Sequence, residues 1–326
     1  MQNKKLPRHS LTIGLAAAMM AGVSALAFTA SSQSNLAGSD LVHHGSELEV
    51  SDFIGTLEIR NGPSLMYELD MGEHLVPDVE IHHQQGRLVV DGAFNEEIRG
   101  CDRDDDEIKL RLRGGAMRPL SDYPHLIITM PRTASVAADI RGGRIQMGDA
   151  QSMDLEFEGC GYATFGEIAD ATRLVLRGSG DITGGNIGPA EILLQGSGDV
   201  EVQNVNGDAE ITLMGSGDIE MNDVSGQTSV LLQGSGDVSL GRVSENSNVV
   251  VRGSGDVDYA SGHMQMLGVE LYGSGDVNFN GDADDVSVLL YGSGDVYVAG
   301  STGNRVVNRY GPGDVRIGSW RSDDGN

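Results

Sequence analysis

A four-residue motif, Gly-Ser-Gly-Asp, recurs at a nearly constant interval through the C-terminal half of the sequence, and this repeat restricts the fold more than any other feature. The last residues of its eight copies are Asp181, Asp199, Asp218, Asp237, Asp256, Asp276, Asp295 and Asp314. Successive copies are 18 to 20 residues apart, and the last one has proline in place of serine. Weaker copies precede them at 159–162 and 141–144. A fixed period near twenty residues predicts a solenoid, in which each repeat packs on its neighbours.

The residues beside the motif indicate which kind of solenoid this is. A β-branched residue follows every one of the eight aspartates, and apolar residues recur two positions apart on both sides of the motif. This spacing is typical of strands with one buried face, and no helical period accompanies it. Each repeat is therefore expected to be a strand, a Gly-Ser-Gly-Asp corner, a second strand and a looser return. We predict an all-β chain built on a parallel β-solenoid (β-helix) with rungs of about 19 residues.

The corner residues carry two further expectations. Two glycines at fixed places imply positive φ or a close approach of neighbouring backbones, and positive φ is the hypothesis we adopt. The aspartates are structural turn residues, each expected to accept a hydrogen bond from an N–H of its own turn. Carboxylates stacked about 4.8 Å apart repel one another, so calcium between the rungs is the alternative to backbone donors.

The chain divides into five segments by composition and pattern. Lys4, Lys5 and Arg8 precede an alanine-rich apolar run, which is typical of a cleaved export signal, with an uncleaved membrane anchor as the alternative. Short alternating segments and the apolar run that Pro131 ends predict a strand-rich cap before the repeats. The predicted segments are a signal peptide at 1–27, a flexible leader at 28–45, the N-terminal cap at 46–135, the solenoid at 136–318 and a tail at 319–326.

The sequence has two cysteines, Cys101 and Cys160. In an exported protein an even number of cysteines favours a disulfide, and two free thiols are the alternative. Cys160 lies in a weak corner, at the place of the repeat serine. A bridge would therefore join the N-terminal cap to an early rung.

The formal charge of −26 argues against nucleic acid and anionic membranes as partners. The acidic run that contains Asp102, Asp104 and Asp106 resembles an oxygen-rich calcium loop. It lacks the glycine and the distant glutamate of an EF-hand, so a solvated loop is the preferred interpretation. Calcium is the one cofactor that the sequence gives reason to consider.

Three tyrosines stand at the same place on consecutive repeats. Tyr272, Tyr291 and Tyr310 each lie four residues before a corner aspartate, and Leu289 lies in the next outward position. Stacked rungs would bring the rings about 4.8 Å apart, on the outside of the coil. We predict a face that binds a glycan, a cell-surface protein or a second copy of the chain. Cross-rung packing without any ligand is the alternative.

The order of these features resembles a known family. A strand-rich lead-in, the stretch Leu126-Ile127-Ile128-Thr129-Met130-Pro131 and then the Gly-Ser-Gly-Asp rungs are similar to the head GIN domain, which is assigned to the heads of auto-transporter adhesins. The resemblance covers residues 48–317. It implies a right-handed β-solenoid in an exported bacterial protein, and it implies no established catalytic residues.

We therefore predict an exported, non-catalytic module with an adhesin-like binding or a structural role, located in the periplasm, at the cell surface or outside the cell. One alternative is a polysaccharide lyase or hydrolase, since such enzymes also use β-helices. Their chemistry needs acids and bases gathered in one groove, whereas here one acid recurs on every rung. A calcium-dependent surface or matrix protein is the other alternative.

Overall fold

The computed structural model describes residues 47–84, 86–104 and 107–319. The predicted signal peptide and leader, the tail from residue 320 and Asp106 lie outside these ranges. Within them, regular structure is almost entirely strand, apart from a 3₁₀ turn at Leu120–Asp122. In the same ranges, no helix has the length and apolar character needed to cross a bilayer.

The N-terminal strands are β1 Glu47–Asn61, β2 Met66–Asp70, β3 Glu80–Gln84, β4 Arg87–Asp91, β5 Ile98–Asp104, β6 Glu107–Leu112, β7 Arg118–Pro119, β8 His125–Met130 and β9 Ser135–Met147. The middle strands are β10 Ser152–Gly159, β11 Gly161–Phe165, β12 Thr172–Gly178, β13 Asp181–Gly184, β14 Ala190–Leu194, β15 Val200–Val205, β16 Ala209–Leu213, β17 Ile219–Val224 and β18 Thr228–Leu232. The C-terminal strands are β19 Val238–Val243, β20 Ser247–Val251, β21 Val257–Leu271, β22 Val277–Leu290, β23 Val296–Ser301, β24 Arg305–Arg309 and β25 Val315–Ser319.

The strands stack as a parallel β-solenoid of about ten turns, as the sequence predicts. Strands before the corners form one parallel sheet, here called the pre-corner sheet, and strands after the corners form the post-corner sheet. Each residue pairs with its equivalent one repeat later, as Ile192 does with Ile211 and Ile211 with Val230. The register of the sequence repeat is therefore the register of the sheets.

Alternate residues of each rung face inward and fill the coil. In the pre-corner sheet, one such column is completely buried, and the apolar residues after the corners form a second buried column. Burying a leucine or valine side chain contributes about 1.5–3 kcal/mol, and every rung repeats this contribution. The first column contains Leu194, Leu213, Leu232, Val251, Leu271 and Leu290.

The corner glycines are required because neighbouring rungs approach closely. Among the corner glycines of the eight copies, only Gly178 has a positive φ, at 141°. A Cβ on Gly217 would overlap the carbonyl oxygen of Gly198 in the previous rung, and a Cβ on Gly236 would overlap that of Gly217. The hypothesis of positive φ is therefore wrong for the remaining corners. Glycine is needed there because the backbone below leaves no room for a side chain.

The solenoid begins earlier in the chain than the predicted boundary at residue 136. Strand β1 pairs in parallel with β9 through both sheets, and Gly55 takes the place of a corner glycine opposite Gly143. On its other edge β1 pairs with β4 and β8, which together form the terminal rung. Strands β3 and β2 then add antiparallel to β4 and β8 and cover that end. The predicted cap is thus partly solenoid.

A separate antiparallel sheet of β5, β6 and β7 lies beside the early corners. Its buried residues Ile108 and Leu110 share a small core with Ile54 of the first rung. The predicted disulfide between Cys101 and Cys160 is present, with 6.2 Å between the Cα atoms. This distance is ordinary for a disulfide. The bridge ties the small sheet to the corner at residues 159–162.

Candidate functional site: the outward columns of the solenoid

The corner aspartates form a hydrogen-bonded ladder that links successive rungs. The Oδ1 atom of Asp218 accepts the backbone N–H of Asp237 at 2.8 Å, and Oδ1 of Asp237 accepts that of Asp256 at 2.8 Å. The same contact joins every neighbouring pair from Asp181 to Asp314, at 2.7–3.2 Å. The prediction that each aspartate accepts an N–H of its own turn is therefore wrong, because the donor belongs to the next rung. The hydrogen bond to each carboxylate offsets part of the repulsion between the stacked aspartates.

Arginines of the chain itself bind both ends of this aspartate ladder. At its N-terminal end, Nη1 of Arg103 on β5 donates to Oδ2 of Asp181 at 2.7 Å, with its guanidinium 5.2 Å from the ring centre of Tyr162. At its C-terminal end, Nη1 of Arg309 donates to Oδ1 of Asp314 at 2.9 Å. Sequence reasoning missed Arg103, because only the fold brings the small sheet to this corner.

The carboxyl group of Asp256 lies between two other carboxylates of the ladder. Burial raises its pKa, the N–H of Asp276 lowers it, and the nearby carboxylates of Asp237 and Asp276 raise it further. A hydrogen-bonded carboxylate with like-charged neighbours on both sides is a structural element, and each rung supplies an equivalent one. The aspartate ladder thus repeats one kind of acid along the coil, with an arginine bound at each end.

Asp102 and Asp104 lie exposed on one face of β5. Asp106, the third calcium candidate, lies outside the described ranges. Lys109 pairs with Asp102 across β5 and β6. The pKa of Lys109 is raised by its hydrogen bond to Glu107 first, and also by Asp102 and Asp104. In the ranges that the structure describes, no three or more His, Cys, Asp or Glu side chains converge as metal ligands would. Calcium binding remains a prediction.

The position four residues before each corner aspartate forms one outward column along the coil. Its character changes from ionic through polar to aromatic. Arg141 forms an ion pair with Glu158 at the N-terminal end, and Nε of Arg177 donates to Oε1 of Gln195 at 3.1 Å. The whole column consists of Arg141, Glu158, Arg177, Gln195, Met214, Gln233, Arg252, Tyr272, Tyr291 and Tyr310.

The last three members, here called the tyrosine ladder, stack as the sequence predicts. The ring centres of Tyr272 and Tyr291 are 5.3 Å apart, and the ring planes are 7° from parallel. The ring centres of Tyr291 and Tyr310 are 4.8 Å apart, and their planes are 13° from parallel. The side chains are exposed, at 42%, 49% and 68% for Tyr272, Tyr291 and Tyr310. Arg252 lies on the rung before Tyr272, and its guanidinium is 5.9 Å from the ring centre of Tyr272.

This stacking decides which parts of the rings a partner can reach. The rings cover one another's faces, and Arg252 covers the last face on the N-terminal side. In the part of the chain that the structure describes, no further ring or guanidinium stacks on the C-terminal face of Tyr310, and the outer edges of the three rings are exposed. The hydroxyl of Tyr272 donates to Oε2 of Glu270 at 3.1 Å, which raises the pKa of Tyr272. The ring faces inside the stack are therefore closed to a partner, and binding at this face remains a prediction.

Two apolar residues adjoin the tyrosine ladder on the outside of the pre-corner sheet. Leu289, which the sequence singled out, is half-buried, and Val306 on β24 is 52% exposed. Sequence analysis missed Val306, although its outward position follows from its pairing with Ser287. With the tyrosine ladder, Leu289 and Val306 place several apolar and aromatic groups on the last three rungs. Met214, which is 44% exposed in the same column as the ladder, lies on an earlier rung.

Comparison with known proteins supports the resemblance. Residues 46–263 match the family described as "Putative auto-transporter adhesin, head GIN domain". The chain belongs to this family. A search of curated proteins finds no match for the chain. The matched part of this head GIN domain contains the first rungs and most of the aspartate ladder. The tyrosine ladder lies beyond it, on rungs that continue the same register.

Membership indicates an exported or surface protein and fits a non-catalytic role. The family description names no ligand and no site residues. The binding role of this chain is therefore inferred from the side chains of its own outward columns.

Proposed function

We propose that this head GIN domain is an exported, non-catalytic binding module of the bacterial cell envelope, and that it binds cell-surface glycans through the tyrosine ladder. The observation that carries the proposal is the stack of exposed tyrosines on the last three rungs. Earlier rungs place polar or charged residues, or the methionine Met214, in the same column, so the aromatic groups are not needed to build the coil.

The chemistry of the ladder suits a carbohydrate. The open face of Tyr310 offers an apolar surface for a pyranose ring, and aromatic stacking contributes about 0.5–1.5 kcal/mol beyond the buried area. The tyrosine hydroxyls, together with Glu270 and Arg252, provide donors and acceptors along the edge of the stack. These groups are repeated at the spacing of the rungs, about 4.8 Å, which suits a polymer better than a single small ligand.

A glycan array tests the proposal. The parent chain is compared with the triple variant Tyr272→Ser, Tyr291→Ser, Tyr310→Ser and with a control, Gln195→Ser, Met214→Ser, Gln233→Ser, in the same column. We expect the parent and the control to retain the same saccharides and the triple variant to lose them. No retention by the parent, or release of reducing ends or unsaturated products from polysaccharides, would count against the proposal.

A further inference from the structure

The two ends of the solenoid expose sheet edges that match one another. At the N-terminal end, β3 extends the pre-corner sheet and β2 extends the post-corner sheet. At the C-terminal end, β24 and β25 are the last strands of the same two sheets. Within the described ranges each of these four strands pairs on one edge only, and each has 5 residues.

The core is incompletely covered at both ends. The apolar residues that pack on the main core but stay partly exposed are all terminal ones: Leu69, Val79 and Ile81 at the first end, and Val315 and Ile317 at the other. Val307 occupies an inward position, opposite the fully buried Val288, yet it is 43% exposed. An end that met another end would bury these residues as the inner rungs do.

The two ends have opposite charge. Residues 66–84 contain five acidic residues and no lysine or arginine, and all five are exposed. Residues 303–319 contain three arginines and one aspartate, Asp314, which forms ion pairs with Arg309 and Arg316. Residues 320–326 add one arginine and two aspartates to the sequence. Arg305 and Arg309 replace the inward Val286 and Leu290 of the previous rung, and Arg305 donates to the carbonyl oxygens of Ser301, Ile317 and Gly318. The basic groups therefore remain at the end of the coil.

From these features we infer that copies of this chain associate head to tail, the C-terminal end of one on the N-terminal end of the next. Strand β24 would meet β3 of the next copy, and β25 would meet β2. Both pairs would be antiparallel, because β2 and β3 run against the other strands of their sheets. Arg316 of β25 and Glu68 of β2 are both exposed on the outer face, and Nη2 of Arg316 lies 3.6 Å from Oδ2 of Asp314. A register that sets Arg316 opposite Glu68 would join the two across the junction.

A two-fold contact between like ends does not suit this charge distribution. Two C-terminal ends would bring arginines together, and two N-terminal ends would bring carboxylates together. A heterologous contact joins opposite charges instead, and since it does not close on itself, it produces an open filament of constant width. The C-terminal face of Tyr310 lies at this junction, because Tyr310 directly follows β24. In a filament only the last copy would therefore keep that face open for a sugar ring.

Sedimentation velocity and negative-stain electron microscopy of the full exported chain test this inference. The measurements use Arg316→Glu, Glu68→Arg, the two changes combined in one chain, and the control Glu220→Arg. Glu220 is exposed in the same outward column as Arg316, at the middle of the coil. All variants should melt like the parent, since the changed side chains are exposed.

For the parent and the control, we expect a mass that rises with protein concentration and filaments of single-coil width. Either single change should abolish the rise, and the combined swap should restore it. The parent should also dissociate in about 1 M salt, where the Debye length is about 3 Å. A parent that stays monomeric at every concentration would overturn the inference. So would a dimer that Arg316→Glu abolishes and Glu68→Arg leaves intact, because that pattern indicates a two-fold contact of C-terminal ends.

Discussion

At each corner of the solenoid, two glycines lie against the glycines of the previous rung, and this contact sets which residues the corner tolerates. The sequence repeat showed that glycine recurs at the corners but not why it is required there. Positive φ and a close approach of backbones both require glycine. Only the position of the neighbouring carbonyl distinguishes them. Gly178 has the positive φ, whereas Gly217 and Gly236 lie where a Cβ would meet backbone.

Gly217→Ala and Gly236→Ala should therefore each destabilise the protein by about 1–3 kcal/mol, because two backbones must move apart to admit the methyl group. Gly115→Ala is the control, since its Cβ would lie 3.6 Å from the carbonyl oxygen of Leu112, an ordinary contact distance. Chemical denaturation gives the comparison. Equal stabilities for all three variants would show that the rungs can separate at no cost.

The carboxyl group of Asp256 should make stability depend on pH in a definite direction. Its pKa in the folded chain is raised, so the native state binds the proton more tightly than the unfolded state does. Its contribution to stability is therefore greatest below its ordinary pKa and is lost as the pH rises through the raised one. Asp256→Asn keeps an oxygen acceptor for the N–H of Asp276 and removes the charge.

We expect Asp256→Asn to be more stable than the parent at neutral pH and equal to it below about pH 3, where the carboxyl group is protonated. Denaturation midpoints of the two chains across this range measure the difference. A difference that does not change with pH would mean that the charge on Asp256 costs the fold nothing.

Among the elements, the small sheet of β5, β6 and β7 depends most on contacts that are distant in sequence. Strand β6 could be read from the alternation of Ile108, Leu110 and Leu112, but β5, β7 and the place of this sheet beside the early corners could not. Two contacts hold them there, the disulfide to Cys160 and the ion pair of Arg103 with Asp181. The cysteine count predicted the first contact, and no local pattern marks the second.

Replacing both cysteines by alanine should destabilise the protein by about 2–4 kcal/mol, since the bridge closes a loop of 59 residues. Limited proteolysis should then cut within residues 92–118 before it cuts any rung. A reductant should reproduce both effects in the parent and leave the double variant unchanged. If cleavage is no faster without the bridge, the apolar contacts and the ion pair of Arg103 with Asp181 are sufficient to hold the small sheet.

At the scale of the whole molecule, the sequence predicts the solenoid well because its period, corners and buried columns are repeated. The sequence analysis did not predict where the coil begins, since the first rung has Gly55 without the full motif. The order of the rungs along the coil could not be read from the sequence either. Strands β4 and β8 follow β1 in the chain, yet they stack on the edge of β1 that faces away from the later rungs. The tyrosine ladder was predictable, since equal spacing places Tyr272, Tyr291 and Tyr310 in one column.

The central claim is that the tyrosine ladder serves binding rather than folding, and single substitutions test it most directly. Tyr272→Ser, Tyr291→Ser and Tyr310→Ser are compared with Gln233→Ser, and for each chain both the Kd for a retained saccharide and the melting temperature are measured. We predict that Tyr310→Ser weakens binding most, by about tenfold, because its open face is lost, and that Tyr272→Ser weakens it least. Gln233→Ser should have no effect, and all four chains should melt like the parent. Unchanged affinity in the three tyrosine variants, with melting temperatures lowered in each, would contradict the account and show that the ladder only packs the rungs together.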